Sequence, residues 1–184
     1  MTKLFFDCEF TGLHQQTTLI SIGFISECGK TFYAEYNDYN TEQITDNDWI
    51  QTNVINTLLY NNKSDGILQC NDTGSKIKLK GSKHFIKDEL IIWLSQFEQT
   101  EIWSDTLAYD WMLFNNIFGT AFDIPKNVYY IPFDIATMFK LKNIDPDINR
   151  EGFAFDDIPE NAVKHNALWD AYVIKKCYNK LNKL

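Results

Sequence analysis

The chain has 184 residues, 45% of them hydrophobic and 23% charged, a balance that builds a buried core and excludes an intrinsically disordered chain. A net charge of −8 and an isoelectric point near 4.8 exclude a broad basic face for duplex nucleic acid, while leaving room for a small site that grips one strand end. The four cysteines, Cys8, Cys28, Cys70 and Cys177, form no Cys-x-x-Cys pair, so neither zinc nor a disulfide framework is expected and a cytoplasmic location fits.

In chain order, residues 3–8 read as a central strand, 19–26 (LISIGFIS) as a second and 31–36 (TFYAEY) as a third, with short loops at Gly12 and at Cys28-Gly29-Lys30. The apolar stretch before Asp7 is too short for a signal peptide. No run approaches the length of a membrane helix, so no membrane partner is expected. Residues 46–60 predict a helix with Asp46 as N-cap and Trp49, Ile50, Val54 and Leu58 on one side. Residues 61–82, rich in Gly, Asn and Ser, read as a polar loop or insert. A second helix spans 82–97, with Ile86, Leu90, Trp93, Leu94 and Phe97 as its stripe. A short strand at 101–105 (EIWSD), a helix at 108–118 and a last strand at 128–133 (VYYIPF) follow. Residues 142–160 read as loop, with Pro146, Gly152 and Pro159, and a terminal helix runs from Asn166 to Leu181. No repeat or second domain is visible. The pattern predicts one domain over 1–184, an α/β fold with a mixed central sheet of about five strands flanked by helices.

Within this scheme the acids are out of place. In FFDCEFTGL, Asp7 and Glu9 sit two apart on a strand, so they share a face with Cβ atoms roughly 7 Å apart. Two buried like charges need neutralising, and Mg²⁺ favours carboxylates and water. The alternative is a strand end in solvent, where the pair costs little. Asp110 shares a helical face with Leu113, Phe114 and Ile117, and Asp170 shares one with Ile174, Cys177 and Leu181. Either acid alone could be a favourable contact with its helix dipole. Four acids on apolar faces instead point to one cluster. His165 and Asp170 would stand about 140° apart on one helix. Asn166, a good N-cap, therefore sets His165 in the loop before the helix, within reach of the cluster. His14 and His84 read as surface or core residues. Lys63, Lys76, Lys78, Lys80, Lys83 and Lys87 read either as a solvated loop or as a basic flap over substrate phosphates.

The segment Asp7-Cys8-Glu9-Phe10-Thr11-Gly12-Leu13 resembles the D-x-E-x-T-G-L opening motif of the DEDDh 3′–5′ exonucleases. The segment His165-Asn166-Ala167-Leu168-Trp169-Asp170-Ala171 resembles their closing H-x-A-L-x-D-A motif. Asp110, in AYDWMLF, stands where the middle motif has its Asp, with Asp105 as a rival. The patterns LISIGF, KTFYAEY and EIWSDTLAYD are most similar to the ribonuclease AS group of 3′ exoribonucleases. The resemblance implies an RNase H-like fold and two-metal phosphodiester hydrolysis. Asp7, Glu9 and Asp170 would hold a first Mg²⁺ or Mn²⁺, and Asp7 would bridge to a second that Asp110 supports. His165 would take the proton of the attacking water, and Phe10, Thr11, Gly12 and Leu13 would frame the terminal nucleotide. The implied substrate is the 3′ end of single-stranded RNA, released as nucleoside 5′-monophosphates, and the implied assembly is a homodimer. Two other readings stand beside it: a single-stranded DNA exonuclease, and an inactive nucleic-acid-binding module of the same fold.

Overall fold

A computed structural model describes residues 1–184. Its centre is a mixed sheet of seven strands in the order β4-β5-β3-β2-β1-β6-β7. Strands β1 (Thr2–Phe10), β2 (Leu19–Ser26) and β3 (Thr31–Tyr36) form an antiparallel meander. Strand β5 (Lys76–Gly81) runs parallel to β3 and pairs with β4 (Gly66–Cys70), while β6 (Thr100–Ser104) and β7 (Phe133–Asp134) extend the other edge in parallel. The helices are α1 (Asp48–Asn53), α2 (Lys83–Leu94), α3 (Ala108–Phe118), α4 (Ile135–Leu141), α5 (Arg150–Ala154) and α6 (Ala167–Leu181). This is the expected α/β architecture, a mixed sheet flanked by helices, consistent with an RNase H-like fold. No helix is long and apolar enough to cross a membrane.

Alternation along β1 divides the core. Leu4, Phe6 and Cys8 face α2 and α3, where they pack with Trp93, Leu113 and Phe114. Phe5, on the opposite face, packs with Ile135 of α4 and with Ile174, Cys177 and Leu181 of α6. Asp7 and Glu9 continue the α6 face.

Several expectations are corrected. The stretch 61–82 is largely a hairpin. Its lysines alternate with Ile77 and Leu79, which are buried, and its turn is an Asn-Asp-Thr-Gly run in which Asn71 Oδ1 accepts from the Lys76 N–H at 2.8 Å and Gly74 takes φ +62°. This hairpin adds two strands, and β7 takes the place of the strand expected at 128–133, so the sheet has seven strands where about five were expected. The segment 128–133 is not a strand. Val128 makes one isolated bridge to Thr100, Pro132 has no N–H to continue a ladder, and pairing resumes only at Phe133. The predicted helix at 46–60 is broken into α1 and a 3₁₀ turn at Ile55–Thr57, with Asn47, not Asp46, as the cap. Asn53 turns its side chain onto the Trp49 carbonyl at 2.9 Å, and the β-branched pair Val54-Ile55 follows, a poor continuation for a helix. Residues 142–160 contain α5, capped by Asn149.

Gly23 fixes where α6 begins. A Cβ there would lie 2.4 Å from the Ala167 carbonyl carbon and the Leu168 nitrogen. Only a hydrogen fits, so the first turn of α6 rests directly on β2, opposite Asp7 in the β1–β2 register. Gly23→Ala must push that turn off the sheet. We expect a loss of about 1–3 kcal/mol by overpacking, read as a fall of roughly 2–12 °C in melting temperature. A variant that melts with the wild type would show that the contact is slack.

Candidate active site

The β1–β6 ladder stops at the pair Phe5↔Trp103, and β1 runs on past the end of β6 paired only with β2. Its freed edge is taken by α3. Asp110, in the first turn of that helix, accepts the Cys8 N–H on Oδ1 at 3.0 Å and the Ser104 hydroxyl on Oδ2 at 3.3 Å. Asp170 arrives from the other face of the sheet. Helical side chains lean toward the N-terminus, and Asp170 Oδ2 reaches back to accept the His165 N–H at 2.9 Å. Asn166 caps the helix by accepting from the Trp169 N–H at 3.3 Å. His165 lies outside the helix with φ +62°, a left-handed conformation that costs a residue other than glycine about 1–3 kcal/mol.

These elements close around a cleft of about 560 Å³, whose lining includes Asp7, Glu9, Phe10, Gly12, Leu13, Asp110, His165 and Asp170. Glu9, His165 and Asp170 bring one ligand atom each within 4.8 Å of one another. Asp7 and Asp110 line the same cleft without joining that trio. A second lobe of about 410 Å³ shares Asp7, His165 and Asp170 but is walled by Asp147, Asn149, Glu151 and Lys164.

Of the predicted nucleotide-framing residues, Phe10 lines the cleft while stacking on Tyr109, with centroids 5.5 Å apart. Leu13 is 77% exposed at the rim. Thr11 is buried, and its hydroxyl bonds with Thr17, Thr18 and Gln43. It braces the turn instead of lining the cleft.

Two features were not foreseen. Trp49, taken from the sequence as part of an apolar stripe, is 56% exposed and stands edge-on to His165, with centroids 4.9 Å apart. The second feature concerns Asp105, which also reaches the cleft. Arg150 holds it through two hydrogen bonds at 2.6 and 2.9 Å, and the Arg150 guanidinium lies over the Phe139 ring. Asp105 is therefore neutralised in place. Asp7, Glu9, Asp110 and Asp170 have no cationic partner, since each of the chain's ion pairs involves other acids.

The consequence is electrostatic. Burial, then the charges of Asp110, Asp170 and Glu9, hold the Asp7 carboxyl well above its ordinary range. Burial with Asp170 and Asp110 raises Glu9 to about 8. Burial raises Asp110 to about 7 against the opposing Cys8 and Ser104 hydrogen bonds, and raises Asp170 to about 7 against the His165 N–H. Burial and Lys164 lower the His165 imidazole, favouring its neutral form. Four unpaired carboxylates in a half-closed cleft are a donor set that fits a hard divalent cation.

With this geometry in hand, comparison with known proteins identifies the chain's class. The model of the 3'-5' exoribonuclease Rv2179c-like domain matches residues 2–181, and the chain belongs to that family. The family's description indicates 3′–5′ exoribonuclease activity. A comparison with curated proteins gives no match.

The raised carboxyls set a pH dependence. Their folded values exceed the unfolded ones, near 4, so the folded state binds more protons and stability falls as pH rises. In a chelator, the loss should begin near pH 4 and continue through about pH 8, where Glu9 ionises. Asp110→Asn removes one charge and keeps an oxygen for the Cys8 N–H. It should raise the melting temperature at pH 8 and change it little at pH 4. A variant that melts below the wild type at pH 8 would refute the assigned repulsion.

Proposed function

We propose that the chain is a divalent-metal-dependent 3′–5′ exoribonuclease that shortens single-stranded RNA to nucleoside 5′-monophosphates. The observation that carries this reading is the convergence of four carboxylates without cationic partners and a neutral-leaning His165 on one cleft, in a chain of a 3′–5′ exoribonuclease family. Asp7, Glu9, Asp110 and Asp170 would hold Mg²⁺ or Mn²⁺, two ions in the fullest reading. Bound there, the metal would acidify the attacking water and stabilise the departing 3′ oxygen.

The chain's own side chains do the rest. Four carboxylates already supply hard oxygen ligands, so we assign His165 to the proton and not to the metal. A neutral imidazole beside the cluster accepts that proton near pH 7. Leu13, Phe10 and Trp49 form the apolar side of the cleft, where a splayed terminal base can stack. Glu9, next to the terminal sugar, is the acceptor for a 2′-hydroxyl, the group that distinguishes RNA from DNA. The acidic surface offers no track for a duplex.

Incubation of 5′-labelled RNA and DNA 5-mers with Mn²⁺ tests this reading. RNA should give a ladder that shortens with time, a 3′-phosphate should block it, and DNA should be cut more slowly. Faster loss of DNA would move the chain to the deoxyribonuclease reading, and early release of the 5′ label as a mononucleotide would reverse the polarity.

His165→Ala should lose about 10²–10⁴-fold in turnover. It should keep the rise in melting temperature that Mn²⁺ gives by binding the folded state. Loss of that rise would make His165 a ligand.

A further inference from the structure

Outside the cleft lies a buried acid that the proposed chemistry does not use. Glu35 is 1% exposed and sits in the cross-strand row of Glu9, as Glu9↔Ser21↔Glu35↔Lys80, on the sheet face that carries the cluster. Its carboxylate accepts the Leu59 N–H at 2.6 Å, the Tyr60 N–H at 3.1 Å and the Tyr33 hydroxyl at 2.8 Å. Lys80, opposite it in the ladder, donates to the Tyr60 and Asn61 carbonyls, each at 3.1 Å. Together they clamp the strap at 55–61 to the sheet.

Both ends of this network reach His165. From the strap, the Thr57 hydroxyl lies 2.8 Å from the His165 carbonyl oxygen, as it does from that of Val54. From the sheet, the Tyr33 oxygen, its proton committed to Glu35, accepts from Asn166 Nδ2 at 3.2 Å. The left-handed turn at His165 is thus held on its carbonyl side by Thr57 and at the next residue by Asn166, and both holds trace to one carboxylate. A buried acid is costly unless each acceptor is used. Here the acceptors serve a strap and a tyrosine whose shared destination is His165.

We propose that Glu35 is a positioning residue for His165, acting through the 57–60 strap with Thr57 and through Tyr33 and Asn166 to lock the backbone that aims the imidazole into the cleft. Its effect on turnover rests on the reading of His165 as the proton acceptor. The lock itself is a structural statement that can be measured without turnover.

The chain has three histidines, so the imidazole signals in an NMR spectrum can be assigned by replacing each in turn. Thr57→Val removes the hydroxyl and keeps the shape. Glu35→Gln sets an amide N–H₂ among the groups that donate to the carboxylate. Both should shift and broaden the His165 signal and leave those of His14 and His84 unmoved. On an RNA 5-mer both should lower kcat by about 10–100-fold, the scale of a misplaced catalytic group, with KM nearly unchanged. Thr57→Ser restores the hydroxyl and should behave as the wild type.

A His165 signal in Thr57→Val that coincides with the wild type overturns the proposal. So does a Thr57→Ser variant that reproduces the Thr57→Val change, since lost methyl packing would then be the cause. Thr57 is half-buried and outside the main core, so Thr57→Val decides the matter if Glu35→Gln does not fold. A wild type that releases no mononucleotide from RNA would sink the exoribonuclease reading, while the NMR comparison still judges the lock.

Discussion

The site depends on how closely one helix end can approach one strand. The first turn of α6 rests on β2 at Gly23, where even a methyl group would lie 2.4 Å from helix backbone. Gly23 pairs with Asp7, so this contact delivers Asp170 and the residue before the helix cap to the strand that carries Asp7 and Glu9. Had a larger residue stood there, α6 would sit higher, and the Glu9–His165–Asp170 trio would open first. The opposite approach, by α3, depends on the early end of the β1–β6 ladder, which leaves the Cys8 N–H for Asp110. Two helices on opposite faces of the sheet thus meet at one strand end.

That meeting is expensive, and the costs are met locally. A hydrogen bond to a charged group contributes about 1.5–3 kcal/mol, comparable with the strain of about 1–3 kcal/mol in a left-handed residue such as His165. The His165 N–H bond to Asp170 can therefore offset most of the turn's strain, and the Thr57 contact adds to it. The carboxylate repulsion has no such offset within the chain. Arg150 lies close by and pairs instead with Asp105. Neutralising the fifth acid while leaving the other four unpaired confines the negative field to the strand end, where a cation would have most effect.

Much of this was legible in the sequence because it is written in short spacings. The i, i+2 acids of β1, the faces of Asp110 and Asp170, the Asn166 cap and the helix at 108–118 are all local patterns, and the structure contains each. What escaped depends on partners far along the chain. Arg150 and Asp105 are 45 residues apart, and nothing near Asp105 signals that it is already paired. Nothing in TFYAEY marks Glu35 as an anchor, since its partners at 59 and 60 lie beyond a helix. Lysine-rich 76–80 disguised a strand because only Ile77 and Leu79 face the core. Trp49 fitted an apolar stripe in a helix that the fold in fact breaks. Gly23 was the one signal in plain view, since a glycine inside a run as apolar as LISIGFIS weakens a strand unless another backbone must come close.

The departures from local rules are concentrated in one part of the molecule. Acids in a buried strand and two of the three left-handed residues other than glycine, Thr106 and His165, line the same cleft, and the glycine inside β2 lies opposite Asp7. Each is unfavourable on its own, and such features persist where the surrounding structure over-determines them. Here the over-determination can be followed bond by bond, from Glu35 through Tyr33 to Asn166 and from Lys80 through the strap to Thr57. Strands β3 and β5, two and three places from β1 in the sheet, anchor the strap that His165 leans on. The hairpin that the sequence presents as a polar insert is therefore coupled to the cleft by a clamp two strands wide.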